Sequence, residues 1–173
     1  ATGMPARAML TNVVIRNTKA SAMNGINAVV QMIGGELSYG ENSGLDMSNG
    51  NLTLTEVAIK QNSLGIYAQN STLIMRGCMV TENRGGVDLG ISSIADFGTI
   101  ADPGNNIFQN FAGIELYIEA TGAAVGSVDA VGNIWKPAVQ GANDQGKYSV
   151  GTVIPGPVGS GPNDNFVIAN QGW

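Results

Sequence analysis

The chain has 173 residues, 25 of them glycine, with charged side chains at only 12% and a net charge of −5. One domain of this length can bury a sizeable core, while an acidic balance argues against nucleic acid and against an anionic membrane surface as partners. Histidine is absent, which excludes Ser/His/Asp catalysis and zinc sites built on histidine.

Residues 9 to 28 read as a first coil of short strands, with Leu10, Val13 and Ile15 followed by Asn24-Gly25-Ile26-Asn27-Ala28. A second coil over residues 29–50 carries Val30, Met32, Leu37 and Gly44-Leu45-Asp46-Met47. The clearest pattern comes next, where residues 51–68 and 72–89 repeat one unit. Leu52 meets Leu73, Leu54 meets Met75, Val57 meets Cys78, Ile59 meets Val80, Ile66 meets Val87 and Ala68 meets Leu89. Within each unit the apolar residues alternate in bursts of period two, the signature of short strands separated by turns. Three such strands cannot close a core alone, whereas units of about twenty residues stacked about 4.8 Å apart can.

The expected fold is therefore all-β: a single-stranded right-handed parallel β-helix, a solenoid of about six coils. Leucine-rich repeats fit the period but not the Leu-x-Leu-x-x-Val-x-Ile-x-x-Asn pattern found here. Asn62, Asn83 and Asn110 each precede a glycine (Gly65, Gly86, Gly113) by three residues. Stacked at one corner, they are expected to form an amide ladder, with each glycine supplying a positive φ. Cys78, the single cysteine, falls on an inward position and reads as a buried thiol, with no histidine to activate it.

The fifth coil is longer, with its extra residues between Ile91 and Asn105 around the turn Asp102-Pro103-Gly104. A sixth, partial coil follows, in which Asn133-Ile134-Trp135 echoes Asn106-Ile107-Phe108 and sets Trp135 on Phe108. The solenoid is thus expected over residues 1–137. Residues 138–173, rich in glycine and proline, read as an extended C-terminal capping segment or arm anchored by Phe166, Ile168 and Trp173. A first coil with nothing above it suggests upstream coils or a covering partner, so self-association through the solenoid ends or the arm is an expectation. No hydrophobic run is long enough for membrane insertion, and Ala1 reads as the start of a processed or trimmed chain.

The repeat resembles those of right-handed parallel β-helix proteins, the pectate-lyase-like superfamily that includes phage tailspikes. Pro103-Gly104-Asn105-Asn106-Ile107-Phe108, Gly113-Ile114-Glu115-Leu116 and Ala130-Val131-Gly132-Asn133-Ile134-Trp135-Lys136-Pro137 resemble the closing section of a bacterial secreted β-helix domain family of unknown function. The resemblance implies a secreted or cell-surface location and assigns no catalytic residue.

Chemistry is expected on outward positions. The residue two after each corner glycine forms the column Asn27, Asp46, Tyr67, Asp88, Glu115. Acids beside an aromatic ring on a flat face suit a polysaccharide: the ring stacks on a sugar while the acids bind hydroxyls, or Asp88 and Glu115 bind calcium. The leading expectation is a non-catalytic glycan-binding or structural and adhesive module of a larger protein. The alternative is a glycoside hydrolase or polysaccharide lyase using Asp46, Asp88 and Glu115. Against catalysis, hydrolases of this fold resemble one another through three aspartates with a histidine, and Lys60, Arg76 and Arg84 lie outside the acidic column. A solvated strand face that carries acids for solubility alone accounts for the same residues.

Overall fold

The computed structural model describes residues 4–90, 92–111, 115–118, 128–135, 148–150 and 166–168. The expected arm falls mostly outside them, as does Gly113. The first pass comprises β1 (Ala6–Arg16) and β2 (Met23–Ile26), and the second β3 (Ala28–Ser38) and β4 (Ser43–Ser48). Three strands each follow in the third pass, β5 (Asn51–Thr55), β6 (Ala58–Lys60) and β7 (Leu64–Gln69), and in the fourth, β8 (Thr72–Arg76), β9 (Met79–Thr81) and β10 (Gly85–Leu89). The fifth has β11 (Ile94–Asp96), β12 (Ile107–Gln109) and β13 (Leu116–Ile118). The last described strands are β14 (Val128–Ala130), β15 (Ile134–Trp135), β16 (Tyr148–Val150) and β17 (Phe166–Ile168).

From β1 to β16 the strands pair in parallel with their equivalents one pass away, so the chain is a parallel β-solenoid with three walls. The third wall is a six-stranded sheet in the order β16-β13-β10-β7-β4-β2. The other two walls merge, because β3 runs unbroken past the corner and pairs with β5 through its first half and β6 through its second. From the third pass on, a turn at Glu56, Gly77 or Asn105 splits that strand. The four passes over residues 28–118 are stacked on both sides, and the strands before and after them form partial turns.

The interior follows from strand parity. Leu37, Ile59, Val80, Phe108 and Trp135 stack up the second wall, all fully buried. Phe108 and Trp135 lie 4.2 Å apart and 9° from parallel, as their echoing motifs predict. Leu45, Ile66, Val87 and Leu116 form the matching column of the third wall. Each such side chain contributes about 1.5–3 kcal/mol when taken out of water. Cys78 is buried and free, and burial pushes its thiol pKa up.

Among the described residues, left-handed residues turn the corners in columns, with Gly35 beside Gly34 as a second positive-φ residue at one of them. The columns are Asn12, Gly34, Glu56, Gly77, Asn105, Gly132; then Asn17, Tyr39, Gln61, Glu82; and Asn27, Asn49, Asn70, Ser92. The expectation that Gly65 and Gly86 supply positive φ is therefore corrected: neither does. Their missing side chain is needed for space. A Cβ on Gly65 would stand 2.6 Å from Val80 Cγ1 and 3.2 Å from Asn83 Nδ2; on Gly86 it would stand 2.1 Å from the Glu115 carbonyl oxygen.

The lengthening of the fifth pass is also localised by register. Ile94 lies opposite Thr72, 22 residues back, and Ile107 lies opposite Met79, 28 back. Six residues are thus added between Asp96 and Ile107, forming a loop at the corner between the first and second walls. At the far end, β16 extends the third wall in parallel and β17 lies antiparallel to β14.

Candidate functional site

Parity on the third wall points every second side chain outward between buried neighbours. In register, the outward column is Asn24, Asp46, Tyr67, Asp88 and Tyr117. Asn24 is exposed, and the other four are half-buried between core residues such as Leu45 and Met47 or Ile66 and Ala68. Successive members stand about 4.8 Å apart, so the two acids, like the two rings, are about 9.6 Å from one another. The result is a strip that alternates acid and aromatic ring along the axis. Partial burial raises the pKa of the Asp46 carboxyl above its ordinary value, since a low-dielectric surrounding disfavours the charged form.

Asp46, Tyr67 and Asp88 are brought together as the repeat predicts. Asn27 is not: it is the exposed left-handed corner residue after β2, and Asn24 occupies the column. Gly25, taken as the corner glycine of the first pass, lies opposite Met47, where a Cβ would stand 2.7 Å from Met47 Cε. It leaves room for a core methionine.

Glu115 is the second correction. It lies opposite Gly86 and is fully buried. Two extra residues between Asn110 and Leu116 shift the strand by two, which preserves parity but moves Tyr117 into the place assigned to Glu115. The calcium pair Asp88 and Glu115 is therefore not formed, nor the catalytic trio with Asp46, because Glu115 points into the corner. Among the described residues no three His, Cys, Asp or Glu side chains are grouped to hold a metal.

Glu115 instead ends the asparagine stack. Asn62 Nδ2 donates to Asn83 Oδ1 at 3.0 Å, and Asn83 Nδ2 to Asn110 Oδ1 at 2.9 Å. The backbone N–H groups of Asn62 and Asn83 donate to the same oxygens. Asn110 then donates its N–H and its Nδ2 to the two Glu115 carboxylate oxygens. Two further ladders run at the other corners: Cys78 N–H to Asn106 and Asn106 to Asn133, and a serine ladder through Ser71 and Ser93. They tie the passes together at the corners.

Sequence reasoning missed Tyr117 and Asn24. The signal for Tyr117 was present in its own sequence, Leu116-Tyr117-Ile118, the same apolar-Tyr-apolar triplet as Ile66-Tyr67-Ala68. No protein-family model, no curated protein and no solved structure matches this chain.

Proposed function

We propose that the chain is a non-catalytic binding module of a secreted or cell-surface protein, and that the strip Asp46–Tyr67–Asp88–Tyr117 takes a neutral glycan. The observation that carries this is the in-register alternation of two acids with two rings on one wall. A tyrosine ring offers an apolar face for the C–H side of a pyranose and a hydroxyl for hydrogen bonding. Carboxylates accept hydrogen bonds from sugar hydroxyls. Rings two passes apart suit the repeat length of an extended disaccharide. The net charge of −5 and the acids of the strip repel uronic-acid polymers, which favours neutral chains. The resemblance to secreted bacterial β-helix domains supports the location.

Titration calorimetry with neutral oligosaccharides tests the assignment. Tyr67→Ala and Tyr117→Ala should each weaken binding about tenfold, equivalent to about 1.4 kcal/mol, with unchanged melting temperature. Equal affinity for wild type and both variants would sink it. The raised Asp46 pKa, with Asp88 two passes away across Tyr67, favours one competing role, acid and base of a hydrolase. Reducing-sugar release that disappears in Asp88→Asn would put hydrolysis in place of binding.

A further inference from the structure

Around the corner from the strip, an open cleft of about 340 Å³ lies where the third wall turns into the first. Its lining includes the left-handed corner residues Asn49, Asn70 and Ser92 and the strand-start residues Asn51 and Thr72. The stacking of passes makes it. Asn70 Nδ2 donates to Asn49 Oδ1 at 2.6 Å, fixing the two amides one above the other. Gly50 N–H donates to Ser71 Oγ and Thr72 N–H to the Gly50 carbonyl, which closes the floor. Gly50 cannot carry a side chain there, since a Cβ would meet the Ala28 carbonyl oxygen at 2.4 Å.

Among the described residues the lining holds amides and hydroxyls with the small apolar groups of Pro5, Ala28 and Val29, and no charged or aromatic side chain. The Asn49–Asn70 bond uses one acceptor and one donor, leaving Asn49 Nδ2 as donor and Asn70 Oδ1 as acceptor. Asn51 is exposed and Thr72 half-buried. Among the described lining residues no cation is present to pair with a phosphate or carboxylate and no ring to stack a base. Paired donors and acceptors of neutral character match vicinal hydroxyls. A cavity of this size lies within the roughly 300–1,000 Å³ range of small-ligand sites.

The strip and cleft adjoin. Tyr67 and Asn70 are three residues apart at the end of one strand, about 10 Å at the rise of a strand, with Gln69 exposed between them. We infer that the cleft of Asn49, Asn51, Asn70 and Thr72 is a second subsite for the same neutral glycan, reached when the chain turns the corner from the strip. The inference rests on the glycan-binding role proposed above and names where a longer ligand gains affinity. The ligand class follows from uncharged hydrogen bonding at the cleft and stacking at the strip.

The test uses a length series of neutral oligosaccharides, disaccharide to octasaccharide, titrated into wild type, Asn51→Ala, Thr72→Val and Tyr67→Ala, with thermal melts confirming folding. Wild-type affinity should rise about tenfold or more from the short to the long ligands. Asn51→Ala and Thr72→Val should abolish that rise and leave disaccharide binding unchanged, whereas Tyr67→Ala should weaken every length. If the two cleft variants keep the full gain with length while Tyr67→Ala still weakens binding, the cleft subsite is wrong and the strip stands. If Tyr67→Ala binds as wild type at all lengths, or wild type binds no member of the series, the strip is wrong and the extension from it falls too.

Discussion

Glu115 lies directly opposite Gly86, and its carboxylate occupies the space that each glycine of that column yields to the asparagine amide of the next pass. Gly44 faces Asn62, Gly65 faces Asn83 and Gly86 faces Asn110 in this way. At the fourth position the acceptor comes from the same pass, five residues after the donor, and the ladder needs no further asparagine.

That arrangement predicts a specific pH dependence. Burial raises the Glu115 pKa, and the two hydrogen bonds from Asn110 offset only part of the shift. A carboxyl with a raised folded-state pKa contributes stability that is fully present below its unfolded value, about 4.3, and is lost as pH rises through the folded value. The melting temperature of wild type relative to Glu115→Gln should therefore be highest near pH 4 and fall toward neutrality. A difference that stays flat, or grows with pH, would contradict the assignment. Glu115→Ala leaves two buried donors without acceptors and should cost about 2–4 kcal/mol near pH 4, and less as pH rises through the folded-state value.

The walls were legible in the sequence because the core alternates at period two wherever the strands run, as in Leu52, Leu54, Val57 and Ile59 against Leu73, Met75, Cys78 and Val80. The corners were not. Glu56, Gln61, Glu82 and Tyr39 adopt a left-handed conformation that their side chains disfavour by roughly 1–2 kcal/mol, held there by the stack above and below. Glycine marked a left-handed corner at Gly34, Gly77 and Gly132 but close packing at Gly44, Gly65 and Gly86. The candidate strip was legible for Asp46, Tyr67 and Asp88, which share an uninterrupted repeat. It failed at Asn27, where Gly25 read as a corner glycine set the column three residues off and on the wrong parity. It failed too at Glu115, where two extra residues moved the register without disturbing parity.

The two kinds of glycine separate experimentally. A Cβ at position 86 would stand 2.1 Å from the Glu115 carbonyl oxygen and 2.8 Å from its carbon, both backbone. Gly86→Ala should then cost several kcal/mol, roughly 3 or more, at the upper end for single substitutions. Gly77 has φ of 63° but open space, with its nearest contact 3.5 Å away at Glu56 Cγ. Gly77→Asn, which tolerates that conformation, should change stability by less than about 1 kcal/mol. Chemical denaturation of both variants decides the point, and equal losses would contradict it.

At the other end of the solenoid, Glu36 joins three passes. It accepts from Arg16 Nε at 2.9 Å and Ser38 Oγ at 2.6 Å and stands 3.2 Å from Lys60 Nζ. The Arg16 and Ser38 bonds, reinforced by Lys60, lower its pKa to about 2. A depressed carboxyl contributes stability above its unfolded pKa, about 4.3, that is lost as pH falls through the folded value. Glu36→Gln should flatten the loss of stability between pH 4.3 and 2 and lower stability at pH 7. Parallel acid titrations of wild type and variant, followed by circular dichroism, should show the two curves converging near pH 2. Curves that stay parallel would remove Glu36 from the acid response.

Arg76 pins the inserted loop. Its Nε meets Asp102 Oδ2 at 2.7 Å and its Nη2 meets Asp96 Oδ2 at 2.9 Å, while Nη1 donates to the Met75 and Asp96 carbonyls. Burial raises the Asp96 pKa, but Arg76 and the Gly98 N–H outweigh it and leave it lowered. The core beneath is held independently by Phe97 against Phe108, 5.6 Å between ring centres. Arg76→Ala should therefore free the loop tip without unfolding the solenoid, costing about 1–3 kcal/mol. Limited proteolysis should cut between Thr99 and Gly104 several-fold faster while hydrogen exchange in β8 and β9 stays slow. Arg76→Lys should restore less than half of the protection, because an ammonium cannot span both carboxylates as the planar fork does. Full protection in the lysine variant would show that charge alone holds the loop.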